Sequence, residues 1–183
     1  MVKNKKSLAK QFIVGIVAVV VLIVVDQFTK YWAVNALMDK PPIIWIKGVF
    51  ELLYLENRGA AFGILEGQRW IFLISVVVVL GVIGAYYGKI PDTKKYVPLR
   101  MVCIAICAGA IGNMLDRVIN GYVVDFFYFS LIDFPVFNVA DIYVTVSVFV
   151  LILLIFFYYK EEDFAFLSLK KKSDDSEEQD GAN

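Results

Sequence analysis

The 183-residue sequence contains no histidine. A Ser-His-Asp triad, a Cys-His dyad and an H-E-x-x-H zinc site are therefore excluded. Cysteine is scarce, and the two present, Cys103 and Cys107, lie on one face of an apolar stretch, where free cysteines pack as small hydrophobic residues. Net charge is also absent, since 18 basic residues balance 18 acidic ones, which argues against a nucleic-acid partner.

Long apolar runs are what the sequence has instead. Hydrophobic residues make up 60% of the chain, and its mean hydropathy is +0.69. A transmembrane helix needs about 20 mostly apolar residues, and four stretches approach that length. They are Phe12 to Val25 with an extension toward Leu37, Trp70 to Tyr87, Val97 to Leu115, and Val136 to Tyr159. We expect one mainly α membrane domain with four transmembrane helices over residues 1–160.

Lysine and arginine are unevenly distributed around these spans. They are frequent before span one, between spans two and three, and after span four, and sparser in the two opposite loops. The frequent group is Lys3, Lys5, Lys6, Lys10, Lys89, Lys94, Lys95, Arg100 and Lys160. Because basic residues accumulate on the cytoplasmic side, we expect both termini in the cytoplasm. Residues 161–183 mix charges of both signs and are predicted to form a disordered cytoplasmic tail.

Two segments are predicted on the outer side. Pro41 and Pro42 end any helix, and alternating apolar and charged residues follow, so we expect a small extracytoplasmic β cradle over about residues 41–66. The second segment, about residues 118–136, is dense in aromatic residues, which suit the headgroup layer. We expect it to be a short amphipathic segment that holds Asp125 at the outer interface.

Asp125 and Asp141 are the candidate acid and base. They are predicted on the same side of the membrane at similar depth. Two carboxyl groups at a partly dry site tend to share one proton, leaving one as acid and one as base. Such a pair hydrolyses a peptide bond without metal or histidine. Asn138 and Asp141 also have the spacing of a helix N-cap, and capping alone would account for both of them.

Other polar residues lie near the same end. Asn113 and Arg117 are one helical turn apart and could hold a substrate backbone or orient a carboxylate. Arg117 could instead reach toward lipid phosphates or pair with Asp116, for which a structural role is favoured. Asp26 and Lys30 form a plausible i,i+4 ion pair closing the outer end of span one, which also favours a structural role.

Three alternative functions need consideration. A Ser-Lys dyad would need a buried lysine beside a serine, and Lys30 and Ser130 are the only outer candidates, which disfavours it. A proton-coupled carrier would relay protons through the same carboxylates, but nearly all polar groups lie at one end and no internal repeat is evident. A non-catalytic lipopeptide-binding protein would use the cradle as a docking surface.

Five sequence blocks together resemble the bacterial lipoprotein signal peptidases, or signal peptidase II. One block would be weak, but all five occur in the right order among the four spans. They are Asp26-Gln27-Phe28-Thr29-Lys30, Asn57-Arg58-Gly59-Ala60-Ala61-Phe62, Gly109 to Arg117, Val123-Val124-Asp125-Phe126, and Phe137-Asn138-Val139-Ala140-Asp141.

This resemblance implies an intramembrane aspartic endopeptidase of the bacterial cytoplasmic membrane with its active site near the outer face. It would remove signal peptides from diacylglyceryl-modified prolipoproteins, cleaving just before the lipidated cysteine. Asp125 and Asp141 would be the catalytic pair. The supporting or substrate-binding residues would be Asp26, Lys30, Asn57, Gly109, Asn113, Arg117, Asn138 and Ala140. We expect a monomer with no metal or cofactor, in contact with membrane lipids and its lipid-modified prolipoprotein substrate.

Overall fold

Four long apolar helices form the body of the protein. The computed structural model describes residues 5–59 and 68–167. The helices are α1 (Lys5–Leu37), α2 (Arg69–Tyr87), α3 (Val97–Ile119) and α4 (Val139–Leu153), which continues as a π-helical turn, Leu154–Tyr158. Each is long and apolar enough to cross a membrane, so the prediction of a four-span membrane protein is confirmed.

The helix ends follow from local sequence. Helix α1 ends at Leu37, just before the Pro41-Pro42 pair. Pro98 lies in the first turn of α3. Backbone N–H groups in a first turn have no intrahelical acceptor, so the absence of one at proline costs no hydrogen bond. Helix α4 begins with a reciprocal capping box between Asn138 and Asp141, as their spacing indicated.

A three-stranded antiparallel sheet lies at one end of the bundle. Its strands are β1 (Ile43–Ile46), β2 (Phe50–Asn57) and β3 (Val123–Tyr128), in the order β1-β2-β3. The predicted hairpin is present, with Gly48 at φ 70° in its turn, a conformation that glycine adopts without strain. Residues 60–66 of the predicted cradle lie outside the described residues.

Strand β3 was not predicted. The sequence indicated an amphipathic aromatic segment over about residues 118–136, whereas residues 123–128 are a strand paired to β2, with Leu55 opposite Asp125. The first four residues of β3 are buried, so the apolar-polar alternation that marks a half-exposed strand is missing. The sheet packs on α1 through the apolar cluster of Ala33, Leu37, Leu52, Val124 and Phe126.

The start of the charged C-terminal segment is ordered. Residues Glu161–Leu167 form a 3-10 helix, so the prediction of disorder from residue 161 is wrong for this stretch. Asp163 accepts two 2.6 Å hydrogen bonds from Lys95 Nζ, and its backbone oxygen accepts one of 2.8 Å from the Tyr96 hydroxyl. Phe164 and Phe166 pack against an apolar cluster that includes Tyr96, Leu99 and Tyr159. These contacts fix the segment against the start of α3; the rest of the predicted tail, 168–183, lies outside the described residues.

Candidate active site

Asp125 is presented by β3 and is almost completely buried, with 1% of its surface exposed. Its Oδ1 accepts a 2.6 Å hydrogen bond from Asn138 Nδ2, and its Oδ2 accepts one of 2.8 Å from Asn57 Nδ2. Asn57 is the last residue of β2, and its own Oδ1 accepts from the Gly59 backbone N–H at 3.0 Å. Both carboxylate oxygens are therefore held by neutral amide donors rather than by a cation.

Asp141 lies in the first turn of α4. Its Oδ1 accepts a 2.7 Å hydrogen bond from Asn113 Nδ2, and its Oδ2 accepts one of 3.1 Å from the Asn138 backbone N–H. In return, Asn138 Oδ1 accepts from the Asp141 backbone N–H at 3.0 Å. The sequence left helix capping and a functional role as alternatives for this residue pair. The capping interaction is present, and it also fixes the position of the Asp141 carboxylate.

Asn138 joins the two carboxyl groups. Its backbone N–H donates to Asp141 while its side-chain Nδ2 donates to Asp125, so one buried residue contacts both acids. The predicted convergence of the two aspartates is thus seen in the structure. Strand β3 and helix α4 come together at this residue.

Asn113 is held in one orientation by its neighbours. Its Oδ1 accepts hydrogen bonds from Lys30 Nζ at 2.8 Å and from Asn138 Nδ2 at 3.1 Å. Lys30 is a pure donor, so the amide oxygen must face it and the amide nitrogen must face Asp141. Lys30 therefore acts on Asp141 through one intervening residue, Asn113.

Lys30 lies in a buried charge cluster rather than an exposed pair. Its Nζ is 2.9 Å from Asp26 Oδ2 and 2.9 Å from Asp116 Oδ2, and all three side chains are at most 4% exposed. The predicted Asp26–Lys30 ion pair is present, but Asp116 pairs with Lys30 instead of Arg117. The structure gives this lysine no serine partner among residues 5–59 and 68–167, which removes the geometric basis for a Ser-Lys dyad.

The cluster contains one residue that the sequence analysis missed. Gln27 Nε2 donates to Asp116 Oδ1 at 3.0 Å and to Asp26 Oδ2 at 3.1 Å. Asp116 Oδ2 also accepts from the Val124 backbone N–H at 3.3 Å, which ties the cluster to β3. Gln27 directly follows Asp26 in an amphipathic stretch, and nothing in its spacing distinguishes it from a surface glutamine.

Small residues allow the helices to approach closely around this cluster. Asp26 Oδ1 accepts a 2.9 Å hydrogen bond from the Ala140 backbone N–H, and this bond links α1 to α4. A side chain on Gly109 would place its Cβ 2.5 Å from the Ala140 backbone oxygen, and one on Gly112 would lie 2.6 Å from Asp26 Oδ2. Gly109 therefore supports the site by permitting close packing, and Ala140 supports it through its small side chain and its backbone N–H.

Arg117 points toward the loop that follows β2. Its guanidinium donates to the Gly59 backbone oxygen at 3.0 Å and to the Asn113 backbone oxygen at 3.4 Å, and it lies 4.3 Å from the centre of the Phe72 ring. The contact with Gly59 ties the end of α3 to the chain just after β2. The predicted block Ala60-Ala61-Phe62 lies outside the described residues.

Burial and nearby charges change the pKa of Asp125. Burial raises the pKa of Asp125 to about 7, and the nearby negative charge of Asp141 adds to the effect. Hydrogen bonds from Asn57 and Asn138 and the positive charge of Lys30 oppose the rise in this pKa but do not cancel it. A carboxyl group with such a pKa keeps a proton near neutral pH. Within the part of the chain that the structure describes, no group of three histidine, cysteine or acidic residues is placed to bind a metal ion.

Known proteins resemble this chain in sequence. Residues 18–157 match the family model described as signal peptidase (SPase) II. The lipoprotein signal peptidase of Streptococcus thermophilus is 46% identical over 136 residues, covering 74% of this chain and 88% of that protein. The lipoprotein signal peptidase of Clostridioides difficile is 45% identical over 132 residues, covering 72% and 87%.

Solved structures resemble the fold as well. One, described as a bacterial membrane enzyme structure determined by the in meso method at 2.3 Å resolution, superposes with a TM-score of 0.70 at 29% identity. It covers 86% of this chain and 93% of its own. A second, determined by the same method at 1.9 Å, gives a TM-score of 0.68 at 30% identity.

Proposed function

This chain belongs to the signal peptidase II family and cleaves lipoprotein signal peptides, and from that premise we propose that Asp125 and Asp141 are its catalytic pair. The carrier and the non-catalytic binding protein, considered above as alternatives, have no support. The observation that carries the proposal is the double contact of Asn138, which donates one hydrogen bond to each carboxyl group.

The two carboxyl groups divide the work of hydrolysis. We assign the shared proton to Asp125, whose pKa is raised to about 7, and the role of the base to Asp141. A water molecule attacks the scissile carbonyl carbon and gives one proton to Asp141, while Asp125 donates its proton to the carbonyl oxygen. This step yields a tetrahedral diol. When the C–N bond breaks, Asp141 returns its proton to the leaving nitrogen, and Asp125 regains one from a diol hydroxyl.

The supporting residues fix this arrangement without entering the chemistry. Asn57, Asn113 and Asn138 hold the carboxylate oxygens at 2.6–2.8 Å through their side-chain amides. These amide donors are neutral, so they orient the two carboxyl groups without stabilising both as anions. A cation at the same distance would favour the anionic form of both groups. Lys30 and Arg117 are positioning residues that hold Asn113 and the segment after Asn57.

The substrate we propose is a prolipoprotein whose cysteine carries a diacylglyceryl group, cleaved just before that cysteine. Acyl chains remain in the bilayer while the hydrolytic water comes from outside, so the scissile bond must lie where lipid headgroups meet water. The aspartates lie at the end of the bundle that carries the sheet, opposite the basic Lys89–Arg100 segment. With that basic end in the cytoplasm, both termini are cytoplasmic and the site is near the outer face.

The decisive experiment is cleavage by purified protein in detergent micelles or vesicles. The substrates are a diacylglyceryl-modified prolipoprotein and its unmodified form. Asp125→Asn and Asp141→Asn keep side-chain shape and remove the titrating group, and Asp39→Asn is the matched control, an exposed aspartate on the same side. We expect wild type and Asp39→Asn to cleave only the modified substrate.

We expect both dyad variants to lose all measurable cleavage while they unfold at temperatures close to wild type. Substantial turnover by a folded Asp125→Asn or Asp141→Asn protein would remove that residue from the mechanism. Equal cleavage of the unmodified prolipoprotein would contradict the proposed substrate class but leave the dyad intact.

A further inference from the structure

A cavity lies at the end of the helix bundle away from Asp125 and Asp141. It has a volume of about 310 Å³ and is lined by residues from the start of α1, the start of α3 and the loop before α3. Its polar lining residues include Ser7, Lys10, Asp92 and Arg100. Asp26 lies sixteen positions after Lys10 on α1, a distance of about 24 Å along the helix axis. The cavity therefore belongs to the opposite membrane surface and has no part in the active site.

Arg100 forms a fixed cationic wall of this cavity. Its Nη1 donates to Asp92 Oδ1 at 3.0 Å and to the Pro91 backbone oxygen at 3.4 Å, and its Nη2 donates to the Thr93 backbone oxygen at 3.2 Å. Its side chain is only 13% exposed. A guanidinium has five N–H groups, and these bonds occupy three, which leaves two for a ligand. With Lys10 added, two positive groups face one negative group, Asp92, so the cavity favours an anion.

An apolar groove continues from the cavity into the membrane region. It has a volume of about 380 Å³ and runs between α1, α2 and α3. Tyr87 and Ile104 line both spaces, so the groove and the cavity adjoin each other at these two residues. On α1 the groove extends from Phe12 to Ile23, about 16 Å, which matches one leaflet of a hydrocarbon core roughly 30 Å thick.

We propose that this combined space binds one anionic phospholipid of the adjoining leaflet, with its phosphate at Arg100 and Lys10 and one acyl chain in the groove. Basic pockets between transmembrane helices at the cytoplasmic side are typical sites for acidic lipid headgroups. A soluble phosphate would leave the groove unfilled. A signal peptide carries positive charge at its amino end, which the two cationic residues would repel.

The chain offers matched variants for a test. Lys10→Gln removes one of the two cations of the cavity and leaves Arg100 in place, and Lys47→Gln removes an exposed cation at the hairpin turn on the opposite end. Gly84 lines the groove, Gly81 on the same helix is not among its lining residues, and a Cβ at either position meets nothing within 4 Å. Gly84→Leu therefore adds a side chain at the groove from a position with open space at Cβ, and Gly81→Leu is its control.

The measurement is native mass spectrometry of full-length protein released from detergent micelles with added phosphatidylglycerol or phosphatidylcholine of identical acyl chains. We expect one phosphatidylglycerol per protein, bound more tightly than phosphatidylcholine. Lys10→Gln should weaken phosphatidylglycerol binding about fivefold, the effect of one lysine near an anionic surface. Gly84→Leu should weaken binding of both lipids, and the two controls should bind as wild type does.

Equal affinity for the two lipids would overturn the proposal, as would equal effects of Gly81→Leu and Gly84→Leu or of Lys47→Gln and Lys10→Gln. Displacement of phosphatidylglycerol by inorganic phosphate at similar concentration would also overturn it, by assigning the cavity to a soluble anion. None of these outcomes depends on peptidase activity.

Discussion

Replacing Lys30 with methionine removes the one cation shared by two buried carboxylates. Lys30 Nζ lies 2.9 Å from both Asp26 Oδ2 and Asp116 Oδ2, and the three side chains are between 0% and 4% exposed. Methionine keeps an unbranched apolar chain and fills similar space. Breaking a buried ion pair by deleting one partner costs about 3–5 kcal/mol, because a buried charge is left uncompensated. Here two carboxylates would be left.

For a protein of this size, a loss of about 3–5 kcal/mol corresponds to a fall in melting temperature on the order of 10 °C. The assay is thermal unfolding of purified Lys30→Met in detergent micelles, with Lys47→Met as a control for loss of an exposed lysine. Adding Asp116→Asn to Lys30→Met removes one uncompensated charge and keeps the side-chain shape. We expect the double variant to be more stable than Lys30→Met alone, with a coupling of about 1–3 kcal/mol between the two sites.

Two results would refute this reasoning. If Lys30→Met melted at the temperature of Lys47→Met, Lys30 would not be the counter-ion of a buried cluster. If the double variant were no more stable than Lys30→Met, the cost would come from lost packing rather than from unpaired charge. Peptidase activity of Lys30→Met should also fall, since Asn113 loses a donor that orients it toward Asp141.

Three further predictions concern the site and its packing. Because the pKa of Asp125 is raised to about 7, kcat/KM should decline as pH rises through about 7. The melting temperature should fall as pH rises from the ordinary aspartate pKa of 3.8 to about 7 and level off above it, because the folded state keeps a proton that the unfolded state has lost. Asp125→Asn should lack this contribution, and a flat melting temperature in wild type over that range would contradict the prediction. Gly109→Ala should destabilise the protein by about 1–3 kcal/mol, because the added methyl group overpacks against Ala140. Gly81→Ala places its methyl group in open space and should not destabilise the protein. Thermal unfolding measures both effects. Asn138→Ala removes a helix cap and the residue that contacts both acids. The free energy of unfolding should fall by about 1 kcal/mol, whereas nearly all peptidase activity should be lost. A loss of activity only in proportion to the loss of stability would assign Asn138 a purely structural role.

Much of the architecture was predictable because membrane insertion imposes strong rules on sequence. Four apolar runs gave four helices, since a spanning segment must be both long and apolar. The capping spacing of Asn138 and Asp141 correctly indicated where α4 begins, because caps are local. The convergence of Asp125 and Asp141 was inferred from their common side of the membrane, and it agrees with their shared contact to Asn138.

Features that depend on distant partners were less accessible. Lys30 and Asp116 are 86 positions apart in the sequence, so their ion pair could not be read from local spacing, and the nearer Arg117 was considered instead. Strand β3 is buried on both faces, which removes the alternation by which strands are recognised. Gln27 gave no signal because Gly112 and Asp116, two of its hydrogen-bond partners, lie in α3. In each case tertiary contact, rather than local propensity, decides the outcome.

The bridge made by Asn138 has a consequence for how the protein is made. Asp125 precedes the last span, while Asn138 caps that span and Asp141 lies in its first turn. A nascent chain that has inserted only three helices holds one acid of the proposed pair and lacks both its partner and the residue that joins them. Peptide-bond hydrolysis would therefore begin only when biosynthesis has delivered the fourth helix, so that incomplete chains in the translocation machinery carry no protease activity.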